Sequence, residues 1–219
     1  MYTTDYYKNS VAWMHRIGTD AKTDVKVLSR GQFSDVPVQD IEFPIVFAQP
    51  GSSYVLGMLF AGVQNEITMY VNRLDAAAQG SGGWKKICGP EHKVTGVTFK
   101  GDDIYLVTYD GAPRYKVMHV KANAPEIAGA HQVVPQGTTV IQNVFAAKDA
   151  IYVQELDGGI GRMRRLADGK VTPVALPFEG TIGAPYADTE HDGIYFQLES
   201  WVRPGEMLHA ASTGKVSDT

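Results

Sequence analysis

Short runs of apolar residues, several with a polar residue at every second place, fill this chain from one end to the other, with Gly, Pro and Asp clustered between them. Period-two alternation bounded by such turn residues predicts half-buried strands. Asp103-Ile104-Tyr105-Leu106-Val107 is one of these runs. It has echoes in Ala150-Ile151-Tyr152-Val153-Gln154 and in Gly193-Ile194-Tyr195-Phe196-Gln197. Ser53-Tyr54-Val55-Leu56-Gly57 is a fourth copy and Thr4-Asp5-Tyr6-Tyr7 a weaker fifth. The tyrosines at 6, 54, 105, 152 and 195 are 48, 51, 47 and 43 residues apart. A repeat of about 40 to 50 residues made of short strands predicts a β-propeller with about four strands per blade.

The strands can be counted within each period. One period reads 94–99, 103–109, 114–120 and 131–134; the next reads 140–145, 150–155, 161–166 and 171–176. Lys100-Gly101-Asp102, Asp157-Gly158-Gly159 and Asp168-Gly169-Lys170 supply turns between them. The expected fold is all-β, with four-stranded antiparallel blades and no long helix. About four blades are complete (35–90, 91–136, 137–177 and 178–219) and an incomplete blade spans 1–34. In that first blade Met1 already stands inside the second strand, with further strands at 11–15 and 24–28. An irregular β-sandwich is the competing arrangement, and five echoes of one strand weigh against it.

Composition narrows the function classes. Of 219 residues, 24 are acidic and 20 basic, for a formal charge of −4. The two signs are interspersed without a basic stripe, which argues against nucleic acid as a partner. Arg162-Met163-Arg164-Arg165 is the longest basic cluster, and Met163 breaks it into a strand with one wet face. No run approaches the roughly 18 apolar residues of a membrane helix, so no membrane partner is expected. The N-terminus lacks a signal-peptide pattern, and the compartment of this soluble chain stays open between cytoplasm and periplasm. Cys88 is the one cysteine, so neither an internal disulfide nor a cysteine-based zinc site can form. It belongs to a strand, Trp84 to Cys88, as a half-buried thiol.

The stretch "VTFKGDDIYLVTYDGAPRYKVMHV" (97–120) resembles the propeller of the prolyl oligopeptidase family of serine peptidases, whose middle blades carry a Thr-Asn-x-x-Ala-Pro-Arg-Tyr-like loop. "WMHRIGTD" (13–20) is similar to the family's Tyr-His-x-Leu-Gly-Thr segment. "YFQLESWVRPGEMLHA" (195–210) is similar to its Phe-Thr-Ser-Phe-x-x-Pro-Gly-x-x-Tyr segment. Order and spacing agree, and the resemblance covers nearly the whole chain. It implies a seven-bladed parent propeller inserted in an α/β-hydrolase, which carries a Ser-Asp-His triad and cuts short peptides after proline. The hydrolase domain is absent from this sequence, so that domain and short peptides are the implied partners. The loop around Arg114 then reads as a clip between blades: Pro113 stiffens it, Arg114 reaches a neighbouring carboxylate or carbonyl, and Tyr115 opens the next strand. Arg114 as a substrate ligand is the alternative. The family's arginine from the hairpin matching residues 57–66 has no counterpart here, because that stretch holds no basic residue.

The residues offer no catalytic site, no metal site and no cofactor site; substrate-binding residues stay unassigned. The nearest approach to a Gly-x-Ser-x-Gly elbow is Ala210-Ala211-Ser212-Thr213-Gly214, with five residues after it and no helix to follow, so Ser212 is a turn residue. His15, His92, His119, His131, His191 and His209 stand singly, without the short spacings of metal ligands. His191 lies in the acidic loop 188–192, which lacks EF-hand spacing and reads as a solvated hairpin tip. Gly158-Gly159-Ile160-Gly161 precedes no helix and is a hairpin turn, not a phosphate loop. The expected role is therefore a propeller that gates and size-selects short proline-containing peptides for a hydrolase domain. The alternative is a free-standing small propeller acting as a binding module. Fewer than five blades would leave apolar blade faces uncovered, from which self-association as a homo-oligomer is expected, with tightening into a smaller closed ring as the alternative.

Overall fold

The structure, a computed structural model, describes residues 4–219. Strands β1 (Val11–Met14) and β2 (Val25–Ser29) form a two-stranded antiparallel sheet. Four four-stranded antiparallel meanders follow, each the sheet of a propeller blade. The first holds β3 (Glu42–Ala48), β4 (Tyr54–Ala61), β5 (Thr68–Arg73) and β6 (Lys85–Cys88). The second holds β7 (Val94–Lys100), β8 (Asp103–Thr108), β9 (Lys116–Lys121) and β10 (His131–Val134). Next come β11 (Val140–Ala146), β12 (Ile151–Asp157), β13 (Ile160–Ala167) and β14 (Lys170–Pro173). The last holds β15 (Thr181–Tyr186), β16 (Ile194–Ser200), β17 (Arg203–Ala210) and β18 (Val216–Asp218). One short helix, α1 (Leu74–Ala78), follows β5.

Turn chemistry closes the hairpins as the sequence dictates. Asp168 and Gly169 (φ 49° and 71°) join Ala167 to Lys170 in a two-residue turn, and Gly158-Gly159 (φ 56° and 95°) joins Asp157 to Ile160. Positive φ at both central residues matches the twist of the flanking strands.

The chain divides into two compact units, 1–95 with 120–129, and 96–119 with 130–219. In the first unit the core gathers Val27, Leu28, Val55, Leu59, Tyr70 and Trp84. Gly57 on β4 lies beneath this Trp84 ring: a Cβ there would stand 2.7 Å from the ring and 3.0 Å from a Leu28 methyl. In the second unit, Val107 and Val117 pack with Ile141, Val144 and Val153 of the next sheet. Tyr152 and Met163 pack in the same way with Ile182, Ile194 and Phe196. The core of this unit thus lies between successive sheets, where alternation sends one side chain in two.

A backbone clip recurs at these junctions. Ile67 N–H, just before β5, donates to the Val94 carbonyl at the start of β7 (2.9 Å). Ile141 N–H, at the start of β11, donates to the Arg114 carbonyl just before β9 (3.1 Å). Gly161 N–H, at the start of β13, donates to the Gly180 carbonyl just before β15 (2.8 Å). Each ties the start of a third strand to the start of the following sheet.

Three sequence expectations need correction. Thr4–Tyr7 is a 3-10 turn, not a strand, so Tyr6 falls out of the repeat; the strand expected from Met1 otherwise lies outside the described residues. The third strand of the second meander begins at Lys116, because two consecutive turns precede it, closed by Ala112 N–H on the Tyr109 carbonyl and Tyr115 N–H on the Ala112 carbonyl, and the second of them holds Arg114 and Tyr115. Tyr115 takes a left-handed φ of 65° there, sparsely allowed for a residue with a Cβ. Its ring packs on the Val107–Ile141 cluster, edge-on to Tyr109. Lastly, Arg114 clips through its carbonyl; its side chain is exposed. Tyr54, Tyr105, Tyr152 and Tyr195 do lie on second strands, but their burial is uneven, from 0 % exposed at Tyr152 to 42 % at Tyr195.

Gly57→Ala is expected to lower stability by roughly 1–3 kcal/mol, since the added methyl overpacks the Trp84 contact. Urea denaturation followed by tryptophan fluorescence measures it; a loss below a few tenths would mean that Trp84 shifts freely.

Candidate functional site

The repeat tyrosines face third-strand partners in every meander. Tyr54 pairs across the ladder with Arg73, whose guanidinium lies 5.5 Å from the ring centre. Tyr152 pairs with Arg165, and Tyr195 stacks on His209 at 4.4 Å. Tyr105 and His119 have ring centres 5.1 Å apart.

In the third meander this pairing becomes a buried network. Asp149 Oδ2 accepts from Arg165 Nε (2.9 Å) and from the Tyr152 hydroxyl (3.1 Å), and Oδ1 accepts from Gly193 N–H of the next sheet (2.7 Å). Burial alone would raise the Asp149 pKa. The Gly193 N–H, Arg165 and Tyr152 outweigh it and hold the carboxyl below its ordinary value of 3.8. Desolvation first, then the Asp149 charge, pushes the Tyr152 hydroxyl up to about 12. Beside this network, Lys100 Nζ donates to the Lys148 carbonyl and Lys148 N–H to the His191 carbonyl, linking three successive hairpins.

The sequence treats the six histidines as isolated, yet the meander sets His119 directly opposite His131, ring centres 4.6 Å apart. His119 is 9 % exposed; its Nε2 meets Asp103 Oδ1 at 2.5 Å and its Nδ1 is buried without a hydrogen-bond partner. These groups, with Tyr105, Asp149 and Asp168, line an open cavity of about 320 Å³. Strand pairing across a long connection is what brings the two rings together, and no short sequence spacing announces it. Among the described residues, no three His, Cys, Asp or Glu side chains are placed to hold a metal ion.

A larger groove, about 500 Å³, opens in the second unit between two hairpin tips: Gly158-Gly159-Ile160 on one side and Ser200-Trp201 on the other, with Glu179 and Glu199 in its wall. Gly180, which also lines it, accepts the Gly161 clip. A Cβ at Gly180 would collide with the Glu199 carbonyl, and one at Gly161 with Ile182. Trp201 is 104 % exposed and Val202 91 %. Arg162 reaches Glu179 at 3.0 Å and Asp157 at 3.5 Å, while Glu199 stays exposed. Arg203 lies 4.2 Å over the Phe178 ring.

The remaining candidates lie outside this groove. Cys88 is fully buried rather than half-buried, and burial pushes its thiol up to about 12, which leaves no thiolate for chemistry at neutral pH. His191 Nδ1 contacts Asp188 within its own exposed loop (2.9 Å). Ser212 lies in the turn before β18. The hairpin spanning 57–66 ends in an exposed Val63.

Asp149→Ala is expected to cost about 2–3 kcal/mol near neutral pH, because Gly193 N–H and Arg165 lose their acceptor. The folded pKa of Asp149 lies below its unfolded value, so its stabilisation is full above the ordinary carboxylate range and is lost as pH falls through the depressed value. The gap between wild type and variant should therefore close between about pH 5 and pH 2. Denaturant titrations at a series of pH values read it; a gap independent of pH would refute this account.

Residues 2–217 match the family model described as the prolyl oligopeptidase N-terminal beta-propeller domain. Among solved structures, the chain is similar to one from a structural and mechanistic analysis of two prolyl endopeptidases, with a TM-score of 0.80 at 19% identity over 98% of this chain and 31% of that one. It is similar to prolyl oligopeptidase B from Galerina marginata bound to a 35mer hydrolysis and macrocyclization substrate (TM-score 0.78, 17% identity, 96% of this chain and 30% of that one). Oligopeptidase B from Leishmania major superposes with a TM-score of 0.72 at 11% identity, over 96% of this chain and 30% of that one. No curated protein matches the sequence. The chain thus spans about 31% of the length of the first of these structures. The match along nearly the whole chain, on sheets that repeat as blades, settles the family: this chain belongs to the prolyl oligopeptidase N-terminal β-propeller family.

Proposed function

We propose that this chain is the propeller part of a prolyl-oligopeptidase-like serine peptidase, and that it gates and size-selects short proline-containing peptides for a hydrolase domain. The observation that carries this reading is the match of residues 2–217 to the family's propeller model. The chemistry is consistent with a division of labour. The sheets supply a stiff, clipped wall with a buried thiol and hydrogen-bonded carboxylates, and the nucleophile and its base belong to the partner domain. Size selection is what a wall of this kind does. A peptide that can thread past it reaches the nucleophile, and a folded protein cannot.

The test compares two proteins on two substrates. A polypeptide in which the hydrolase domain accompanies these residues is expected to cleave a proline-containing chromogenic peptide at least tenfold better than the same sequence within a folded protein. The 219-residue chain alone should cleave neither. Equal cleavage of both substrates would remove the gating role. Turnover by the isolated chain that resisted purification and vanished on Ser212→Ala would overturn the division of labour.

A further inference from the structure

His119 and His131 stand singly in the sequence, where no metal is expected, but the fold sets them directly opposite each other on β9 and β10. Side chains at opposed positions of an antiparallel ladder project from the same face of the sheet. The two ring centres are 4.6 Å apart, and both rings line the cavity of about 320 Å³. His119 is 9 % exposed, and its Nε2 meets Asp103 Oδ1. A carboxylate only accepts, so the proton between them belongs to Nε2, and the neutral ring carries a bare electron pair on Nδ1. That Nδ1 is buried without a hydrogen-bond partner. Buried polar atoms are rarely left so, because an unmade hydrogen bond costs more than a made one returns. The same arrangement is what a ligating imidazole needs: a carboxylate on one nitrogen to fix tautomer and orientation, and a free electron pair on the other.

We propose that His119 Nδ1 and a ring nitrogen of His131 bind a divalent transition ion of the zinc, nickel and copper group, with water in the remaining positions. Imidazole nitrogens select this class over magnesium and calcium, which prefer oxygen. Rings this close need little adjustment to place a nitrogen of each about 2 Å from one ion. His131 is the ring that adjusts, since it is exposed, whereas His119 is held by Asp103. The surroundings favour a cation. Asp103, Asp149 and Asp168 line the cavity with one ammonium, Lys100, which donates to the Lys148 carbonyl. Arg165 already answers the Asp149 charge, which leaves Asp103 and Asp168 to attract the ion. Among the described residues no third His, Cys, Asp or Glu completes the set, so the ion is exchangeable, unlike one in a closed four-ligand site. Its effect falls on β10, the outer strand of its meander, whose ladder with β9 shifts register after Gln132. An ion held by both rings ties the first residue of that strand to its neighbour.

Calorimetric titration of the 219-residue chain with zinc chloride tests this, together with long-range ¹H–¹⁵N spectra of the imidazoles. A single zinc ion is expected to bind, shifting His119 Nδ1 and one ring nitrogen of His131 while His119 Nε2 keeps its proton. His131→Ala, at an exposed ring, should leave the chain folded and weaken binding by about tenfold or more. Asp103→Asn, which keeps the shape and removes the charge, should weaken it by roughly tenfold. His191→Ala, whose ring faces Asp188 in a separate loop, should leave the affinity unchanged. Zinc that binds wild type and His131→Ala alike, or that leaves His119 Nδ1 unmoved, belongs elsewhere on the surface and would overturn the site. Absence of zinc binding to the wild-type chain would overturn it equally.

Discussion

A β-sheet with apolar side chains on both faces needs a cover for each of them. The one α-helix among the described residues, five residues long, is far too small to provide one. Within the second unit each meander is therefore covered by the next, and the rest of that unit depends on this contact. It explains why Tyr152 and Phe196 are completely buried although they belong to different sheets. Face-to-face burial supplies most of the energy, but it is non-directional and would tolerate sliding. The clips at Arg114–Ile141 and Gly161–Gly180 fix the register of one sheet on the next, because a hydrogen bond is lost when its partner moves by a fraction of a residue.

Charge follows the same plan. Arg162, Arg164 and Arg165 look like a basic cluster in the sequence, yet each has its own carboxylate: Asp157 and Glu179, Glu155, and Asp149. Glu155 and Asp149 are nearly inaccessible at their side chains. Two charges buried together and hydrogen-bonded in fixed geometry add specificity to the stacking, since a misplaced sheet would strand one of them. Asp149 extends this to the adjacent sheet through Gly193 N–H, so one carboxylate joins a tyrosine, an arginine and a neighbouring main chain.

The strands were legible in the sequence because alternation and Gly-rich turns are local signals. Tyr54, Tyr105, Tyr152 and Tyr195 marked the second strands for that reason. Local reading failed where packing decides. Tyr115 carries strand-like side-chain chemistry but sits in a turn, its unfavourable φ tolerated because its ring is held by the core cluster. Tyr6 shares the aromatic character of the other copies, but the turn at Thr4–Tyr7 takes it out of the ladder. The His119–His131 pair was unreadable because proximity across β9 and β10 depends on a register that no spacing encodes. The Trp201 groove was hidden in the same way: its two walls come from hairpins some forty residues apart, each of which reads as an ordinary turn.

The Arg114 clip has a consequence for how this chain can change over generations. The contact is made by a carbonyl, which every residue possesses, so replacing the arginine leaves the tie intact. What must persist is the path of the main chain: the turn that aims the carbonyl, Pro113 before it, and a ring at 115 willing to sit in a left-handed bend. Drift at the exposed side chain is therefore free, while drift at its quiet neighbours is not. A lineage of such proteins would keep its architecture long after the letters at the contact itself had ceased to agree.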